Sequence, residues 1–290
     1  MIIDGKKIAN EIQEEIKAKI QHYTKRKPCL AVVLVGDHPA SKIYVSRKTQ
    51  ACQAVGIESR RIELPASISE EELLKQIDYL NQDSSIDGIL VQLPLPTHIH
   101  PTRVSHHIDP AKDVDGFHPF NVGKMLIGET DGFIPCTPLG IKTLIERMAI
   151  EMIGKHVLVI GRSNIVGKPM AALLVQNAPQ GNSTVTIAHR YSRNLKDLSL
   201  LADILIVAIG QPKFITADMV KEGAIIIDVG INKIPDPSKK NGYQIVGDVD
   251  FEHVQSKCAY ITPVPGGVGP MTIAMLLHNT LLSYENKLFK

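Results

Sequence analysis

The chain has 290 residues, 44% of them apolar, and a formal net charge of +2 at pH 7. At roughly 100–200 residues per domain, this length predicts one long or two ordinary domains with a sizeable core. The near-neutral charge argues against nucleic acid or a membrane surface as a partner, since both usually require clustered lysine and arginine. No apolar run approaches the roughly 20 residues needed to cross a bilayer.

The cysteines and the N-terminus indicate the compartment. Four scattered cysteines form no CxxC pair, which argues against a structural zinc site and a disulfide framework. The segment 1–5 is too short and too quickly polar for a signal peptide. We therefore expect a cytoplasmic location and no metal.

Helix and strand patterns alternate along the first half of the chain. Isoleucines at four-residue steps from Ile8 to Ile20 predict the first helix. The patterns that follow predict strands over 30–35, 60–64 and 88–91, and helices over 41–55 and 69–81. Ser69 and Glu72 have the spacing of a capping box at the start of the last helix. This alternation predicts parallel βαβ units.

A polar stretch over 94–132 separates the halves, and Thr137 and Pro138 then predict a helix start. The second half predicts strands over 156–160, 184–188, 204–208 and 224–229, and helices over 168–176 and 272–284. The fold class expected is α/β, with two domains flanking a cleft and a Rossmann-like second domain. The expected boundaries are 1–138 plus 271–290 for the first domain and 139–270 for the second.

The strand over 156–160 runs directly into a turn, Gly161–Gly167, that opens a helix. This is the position of a dinucleotide fingerprint, although Ser163 stands where the second glycine would be. The turn alone is equally compatible with an ordinary strand-to-helix connection. Backbone amides at the helix start, from Ser163 to Val166, are expected to face phosphates.

The next strand ends in a basic segment. NAD enzymes usually carry Asp or Glu there, whereas Arg190 follows this strand. Arg162 and Arg190, with Arg193 as a further candidate, therefore predict a 2′-phosphate and hence NADP. The alternative for Arg190 and Arg193 is that they are solvated loop charges. Gly210 and Gly230 follow two later strands and are expected to form tight turns that also admit the cofactor.

Tyr44 and Lys48 lie four residues apart, one above the other on a predicted helix. The spacing is like that of short-chain dehydrogenases, but their pair follows the nucleotide turn, and this one precedes Gly161. The alternative without a catalytic role is that Tyr44 packs in the core and Lys48 is a solvated surface charge. His98, His100, His106 and His107 are near one another, but solvated histidines explain them better than a metal site.

Eight sequence blocks together resemble the bifunctional methylenetetrahydrofolate dehydrogenase/cyclohydrolase family. They are YVSRK at 44–48, DGILVQLPLP at 87–96, KDVDGFHPFNVG at 112–123, PCTPLG at 135–140, GRSNIVGKPM at 161–170, DVGIN at 228–232, GDVDF at 247–251 and TPVPGGVGPMT at 262–272. Their common order across almost the whole chain makes coincidence a poor explanation. The chain departs from the family at Arg190, where a small hydroxyl residue is common.

The resemblance implies a role for each matched residue. Lys48 matches the catalytic lysine, Gln92 the amide that orients it, Tyr44 the ring against the folate, and Asp115 the carboxylate that recognises the pterin. Substrate-side residues are Pro265 and Gly266. With the turn residues, the expected cofactor set is Gly161, Arg162, Ser163, Ile165, Gly167, Arg190, Gly210, Gly230, Ile231 and Thr272.

The chemistry of the two reactions agrees with these roles. Hydride loss from a methylene between two nitrogens needs geometry and no protein base, because a nitrogen lone pair stabilises the cation. Hydrolysis of the methenyl cation needs proton transfer, for which Lys48 would require a pKa lowered toward neutrality. Gln92 could orient the amine without holding it charged.

The resemblance also implies NADP as cofactor, tetrahydrofolate derivatives as substrate, a place in one-carbon metabolism and purine biosynthesis, and a homodimer formed mainly through the nucleotide domains. Two alternatives remain at this point. One is a two-domain NADP-dependent dehydrogenase of another small substrate, and the other is a non-catalytic folate- or nucleotide-binding protein.

Overall fold

The computed structural model describes residues 1–239 and 242–288, and of residue 288 it describes the backbone only. The chain divides into two compact units. The five-stranded unit comprises Met1–Ala9 and Thr137–Thr272, and the three-stranded unit comprises Asn10–Cys136 and the chain from Ile273 onward. Both main sheets are parallel and alternate with helices, so the predicted α/β class with two domains is confirmed.

The three-stranded unit is built around a fully apolar central strand. Its strands are β1 (Cys29–Val35), β2 (Glu58–Leu64) and β3 (Gly88–Val91), in the parallel order β2-β1-β3. Every residue of β1 is buried, as expected for a parallel strand covered on both faces. The helices up to residue 127 are α1 (Gly5–Gln21), α2 (Pro39–Val55), α3 (Glu70–Gln82), α4 (Pro101–His107) and α5 (Pro119–Ile127).

Helix α3 begins where its capping box predicts. The Oγ of Ser69 accepts the N–H of Glu72 over 3.2 Å, and a Glu72 carboxylate oxygen accepts the N–H of Ser69 over 3.0 Å. Two free N–H groups of the helix start are thereby satisfied. In contrast, α4 and α5 lie inside the stretch 94–132, which we expected to be a polar connection.

The five-stranded unit contains a parallel sheet and a separate hairpin. The sheet has the order β10-β7-β6-β4-β5, and β8 and β9 pair antiparallel. The strands are β4 (His156–Ile160), β5 (Thr184–Ala188), β6 (Ile204–Val207), β7 (Ile225–Asp228), β8 (Asn232–Pro235), β9 (Tyr243–Val246) and β10 (Tyr260–Ile261). The helices from residue 136 are α6 (Cys136–Arg147), α7 (Gly167–Val175), α8 (Leu195–Leu201), α9 (Phe251–Val254) and α10 (Val268–Leu288), with a short 3-10 helix at Ala217–Met219.

The N-terminal residues differ from the predicted domain boundary. We expected residues 1–9 to belong with the first domain, but they fall in the five-stranded unit. The N–H of Ile3 donates to the carbonyl of Ile261, and the N–H of Lys6 donates to that of Gly266, both over 2.8 Å. These main-chain bonds make the N-terminus an extension of the five-stranded unit. Among the described residues, none of the helices combines the length and apolar character needed to cross a membrane.

Candidate active site

A lysine and a glutamine meet at the carboxyl end of the three-stranded sheet. Lys48 projects from α2, and Gln92 directly follows β3. The Nζ of Lys48 donates to the Oε1 of Gln92 over 3.0 Å. The Nε2 of Gln92 donates to the carbonyl of Leu93 over 2.7 Å, and its N–H donates to Val33 over 2.9 Å. Because the amide nitrogen is engaged in this way, the amide oxygen faces the lysine.

The ring of Tyr44 lies one helical turn before Lys48. It is 38% exposed, whereas the buried positions of α2 are Ser41, Val45, Cys52 and Val55. The alternative that Tyr44 is a core residue is therefore wrong. Its ring therefore presents an exposed aromatic surface one helical turn from Lys48.

Asp115 is half-buried in the same unit. Burial raises its pKa above the usual range of an aspartate, while the positive charge of Lys48 and the thiol of Cys136 act in the opposite direction. The charge of Lys48 is thus close enough to influence the carboxyl group. Tyr44, Lys48, Gln92 and Asp115 therefore belong to one region of the three-stranded unit.

Asp113, only two residues earlier, serves the chain itself. Its Oδ1 accepts the N–H of Phe117 over 3.2 Å, and its Oδ2 accepts the N–H of His118 over 2.8 Å and the amide of Asn121 over 2.9 Å. Burial raises the pKa of Asp113 to about 6, although these bonds favour the ionised form. Asp113 therefore fixes the loop that follows Asp115.

The backbone around Asp115 is held by a residue that the sequence did not suggest. The fully buried Asn279, on α10, donates its amide to the carbonyl of Val114 over 2.9 Å and to that of Ile134 over 3.1 Å. The thiol of Cys136 also donates to Val114, over 3.3 Å. The one available signal was that Asn279 closely follows an apolar run of this helix.

In the five-stranded unit, the predicted nucleotide turn connects β4 to α7. Gly161 has φ +128°, and a Cβ there would lie 2.3 Å from the carbonyl oxygen of Ala208, so only glycine fits. The Oγ of Ser163 accepts the N–H of Val166 over 3.1 Å and that of Gly167 over 3.3 Å. Ser163 therefore stabilises the turn that leads into α7. The expectation that the amide of Val166 faces a phosphate is wrong, since that amide is already bonded.

Two of the predicted arginines converge on one exposed ring. The guanidinium of Arg162 lies 5.6 Å from the ring centre of Tyr191, and that of Arg190 lies 4.7 Å from it. Arg162 follows β4, whereas Arg190 and Tyr191 follow the neighbouring strand β5. Two guanidinium groups at adjacent strand ends fit a phosphate. No sequence motif indicated Tyr191.

The predicted Gly210 and Gly230 lie in the loops after β6 and β7. A Cβ at Gly230 would lie 2.4 Å from the carboxyl carbon of Asp248, so this glycine admits a carboxylate of the chain itself. A Cβ at Gly210 would contact nothing within 4 Å. Ile231 is exposed beside this loop.

The other predicted residues of the nucleotide and substrate sets also lie in the five-stranded unit. Pro265 and Gly266 follow β10, and the carbonyl of Gly266 accepts the N–H of Lys6. The Oγ1 atoms of Thr272 and Thr137 lie 2.9 Å apart. Ile165 is exposed within the nucleotide turn.

The side chains of two of the four neighbouring histidines, His98 and His107, have separate partners. The Nε2 of His98 lies 2.8 Å from the carbonyl of Ile68, and that of His107 lies 2.7 Å from Asp78. Within residues 1–239 and 242–288, no group of three or more His, Cys, Asp or Glu side chains converges as metal ligands would.

Two family models match the chain in succession. The model for the tetrahydrofolate dehydrogenase/cyclohydrolase catalytic domain matches residues 3–115, and the model for the NAD(P)-binding domain of the same family matches residues 135–288. A bifunctional protein FolD from Protochlamydia amoebophila is 74% identical over 285 residues, covering 98% of each chain. A bifunctional protein FolD from Prosthecochloris aestuarii is 54% identical over 288 residues, again covering 98% of each.

Solved structures agree with these matches. The bifunctional methylenetetrahydrofolate dehydrogenase/cyclohydrolase FolD of Campylobacter jejuni has a TM-score of 0.94 and 49% identity, covering 99% of each chain. A Trypanosoma brucei FolD complexed with NADP and an inhibitor has a TM-score of 0.93 and 38% identity, covering 99% of this chain and 98% of that one. The predictions of a bifunctional tetrahydrofolate dehydrogenase and cyclohydrolase and of a second domain that binds NAD(P) are confirmed. The chain belongs to the tetrahydrofolate dehydrogenase/cyclohydrolase family.

Proposed function

We propose that the chain oxidises 5,10-methylenetetrahydrofolate to 5,10-methenyltetrahydrofolate with NADP, and that Lys48 then drives hydrolysis of this product to 10-formyltetrahydrofolate. The observation that carries the assignment of Lys48 is the 3.0 Å bond from its Nζ to the amide oxygen of Gln92. A neutral partner orients the amine without stabilising its charged form as a carboxylate would. An amine that can lose its proton can act as a base.

The dehydrogenase step requires the chain to hold its reactants. NADP supplies the acceptor for the hydride that leaves the methylene carbon. Because a folate nitrogen stabilises the resulting cation, no protein group has to take a proton. The exposed ring of Tyr44 is available to lie against the aromatic part of folate, and Asp115 to accept hydrogen bonds from the pterin. Pro265 and Gly266 are proposed as further folate contacts.

The cyclohydrolase step requires proton transfer. Water adds to the methenyl carbon and loses one proton, which gives a neutral carbinolamine. Its hydroxyl group then loses the second proton to solvent as the bond from this carbon to one folate nitrogen breaks, and the formyl group stays on the other nitrogen. We assign to the Nζ of Lys48 the removal of a proton from water and its return to the departing nitrogen. Gln92 keeps the amine in place during both transfers.

The five-stranded unit is proposed to hold NADP. The turn that begins at Gly161 follows the carboxyl end of β4, where dinucleotides bind in such sheets, and the convergence of Arg162 and Arg190 suits a 2′-phosphate. The full proposed set remains Gly161, Arg162, Ser163, Ile165, Gly167, Arg190, Gly210, Gly230, Ile231 and Thr272. The three-stranded unit is correspondingly the proposed folate-binding and catalytic domain.

An absorbance assay tests the proposed reactions. With methylenetetrahydrofolate and NADP, we expect NADPH to form and the methenyl product to disappear faster than in buffer; with NAD, we expect slower formation. Reduction of NADP without faster loss of methenyltetrahydrofolate would contradict the hydrolytic step. Failure to reduce NADP with this folate would contradict the first step.

We further propose that the chain forms a homodimer through its five-stranded unit. The strand β5 lies at the edge of the sheet, and its Ile187 is exposed, as are Val175 and Leu201 of the same unit. An open strand edge with apolar side chains favours pairing. Sedimentation equilibrium should give twice the 31.8 kDa chain mass, falling toward one chain in Ile187→Lys. A single-chain mass for the unaltered protein would contradict the dimer.

A cytoplasmic location is also proposed. The four cysteines are free thiols, three of them buried, and unpaired cysteines suit a reducing compartment. We propose that the 10-formyltetrahydrofolate formed serves as a one-carbon donor for purine biosynthesis.

A further inference from the structure

A buried carboxylate lies beneath two loops at the carboxyl end of the five-stranded sheet. Asp248, from the GDVDF block, is 0% exposed. Its Oδ2 accepts the N–H groups of Ile209 over 2.8 Å and Gly210 over 2.9 Å, in the loop after β6. Its Oδ1 accepts the side-chain amide of Asn232 over 2.8 Å, in the segment after β7. One side chain therefore ties two separate loops together.

A second buried carboxylate holds Asp248 in place. The Oδ1 of Asp228 accepts the N–H of Gly230 and that of Asp248, and its Oδ2 accepts the N–H of Val249, all over 2.9 Å. Glycine at 230 is required because the carboxyl group of Asp248 occupies the space of a side chain there. The DVGIN and GDVDF blocks are thus one interlocked structure.

These bonds hold the two loops on their buried side, while other residues of the same loops are exposed to solvent. Gly210 and Ile231 are exposed, whereas the carboxylates beneath them are not. Ligands of open parallel sheets bind at the carboxyl ends of the strands, where these loops lie. Hydrogen bonds from backbone amides to an ionised carboxylate are short and strong, so they hold a loop in one conformation.

We propose that Asp248 is a positioning residue for NADP, acting through the loops that carry Gly210, Gly230 and Ile231. The inference rests on the proposed contacts of those three residues with the dinucleotide. Asp248 is too deeply buried to touch the cofactor itself. Its effect is to set the surface on which the cofactor lies, and it should influence the dehydrogenase reaction alone, because hydrolysis of the methenyl compound uses no dinucleotide.

The test compares both activities in Asp248→Asn. An amide at 248 can still accept bonds at its oxygen, but its nitrogen then faces the side-chain nitrogen of Asn232, so the two loops lose their link. We expect the KM for NADP to rise about 10-fold or more, the usual range for a lost bond to a charged group. The cyclohydrolase kcat, measured on methenyltetrahydrofolate without NADP, should stay within about twofold of the unaltered enzyme.

Two further variants separate positioning from general stability. The exchange Asp248→Asn with Asn232→Asp restores a carboxylate facing an amide and should recover most of the NADP affinity. Asp203→Asn is the matched control, since Asp203 also accepts a backbone N–H, that of His156 over 2.9 Å, but precedes β6 at the opposite end of the sheet. It should leave the KM for NADP unchanged.

Three results would overturn the proposal. They are an unchanged KM for NADP in Asp248→Asn, an equal loss of both activities in that variant, and a failure of the exchange variant to recover affinity while its cyclohydrolase activity persists. The unaltered enzyme is assayed alongside, so that an absence of NADP-linked oxidation there would reject the proposed function instead.

Discussion

Replacing Lys48 with methionine is expected to slow the conversion of methenyltetrahydrofolate to 10-formyltetrahydrofolate by about 10²- to 10⁴-fold, the contribution of a positioned proton-transfer group. Methionine keeps an unbranched side chain but removes the amine that bonds to Gln92. The dehydrogenase rate should fall much less, because hydride loss needs the substrate to be placed and no proton to be moved. The decrease in absorbance of the methenyl substrate with time measures the rate of hydrolysis, and NADPH formation measures the rate of the dehydrogenase.

Two companion variants sharpen this result. Gln92→Glu places a carboxylate against the amine, which favours the charged lysine and should also slow hydrolysis. Lys42→Met removes another lysine of α2, one that pairs with Asp37 over 2.7 Å at the surface, and should leave both rates unchanged. Hydrolysis at the unaltered rate in Lys48→Met would remove this lysine from the mechanism.

Replacing Arg162 or Arg190 with alanine is expected to raise the KM for NADP by about 10-fold or more while changing the KM for NAD little. Each variant removes a charged donor that the 2′-phosphate of NADP can use and that the ribose hydroxyl of NAD does not need. The two guanidinium groups share the ring of Tyr191, so we expect the double variant to show less than the sum of the two effects on the logarithmic scale. Initial rates with each dinucleotide give the comparison.

The control for this experiment is Lys196→Ala. Lys196 is a surface cation of the same unit that pairs with Asp218, so its loss tests whether net charge alone weakens NADP. Equal effects of an arginine variant on NADP and NAD would assign that arginine a role other than phosphate recognition.

Sequence patterns correctly predicted those helices and strands that depend on residues close together in the chain. The unbroken apolar run of β1 and the capping box of α3 have causes within a few residues, and both lie where predicted. The helices α4 and α5 lie within the stretch 94–132, whose polar residues and prolines are also typical of a connecting segment. Pro101 and Pro119 instead occupy the first turn of each helix, where the missing N–H has no partner to lose. Pro138 likewise lies in the first turn of α6, although this helix begins at Cys136, one residue before the predicted N-cap Thr137.

The site was predictable only where a motif carried it. Lys48 and Gln92 lie 44 positions apart, and nothing in their local sequences pairs them without the family resemblance. Asn279 and Val114 lie 165 positions apart, and Asp248 reaches back 39 positions to Ile209. Such contacts depend on how strands and helices are brought together in three dimensions, which spacing along the chain does not contain.

The interleaving of the two units has a consequence for how the protein is made. A ribosome completes residues 10–136 long before it adds α10, yet Asn279, Ser283 and Tyr284 bond to backbone carbonyls of that early segment. During synthesis, those carbonyls of the N-terminal half therefore lack their partners on α10 until that helix has been made. For the same reason, we expect a fragment that ends near residue 136 to lack the contacts that complete the three-stranded unit.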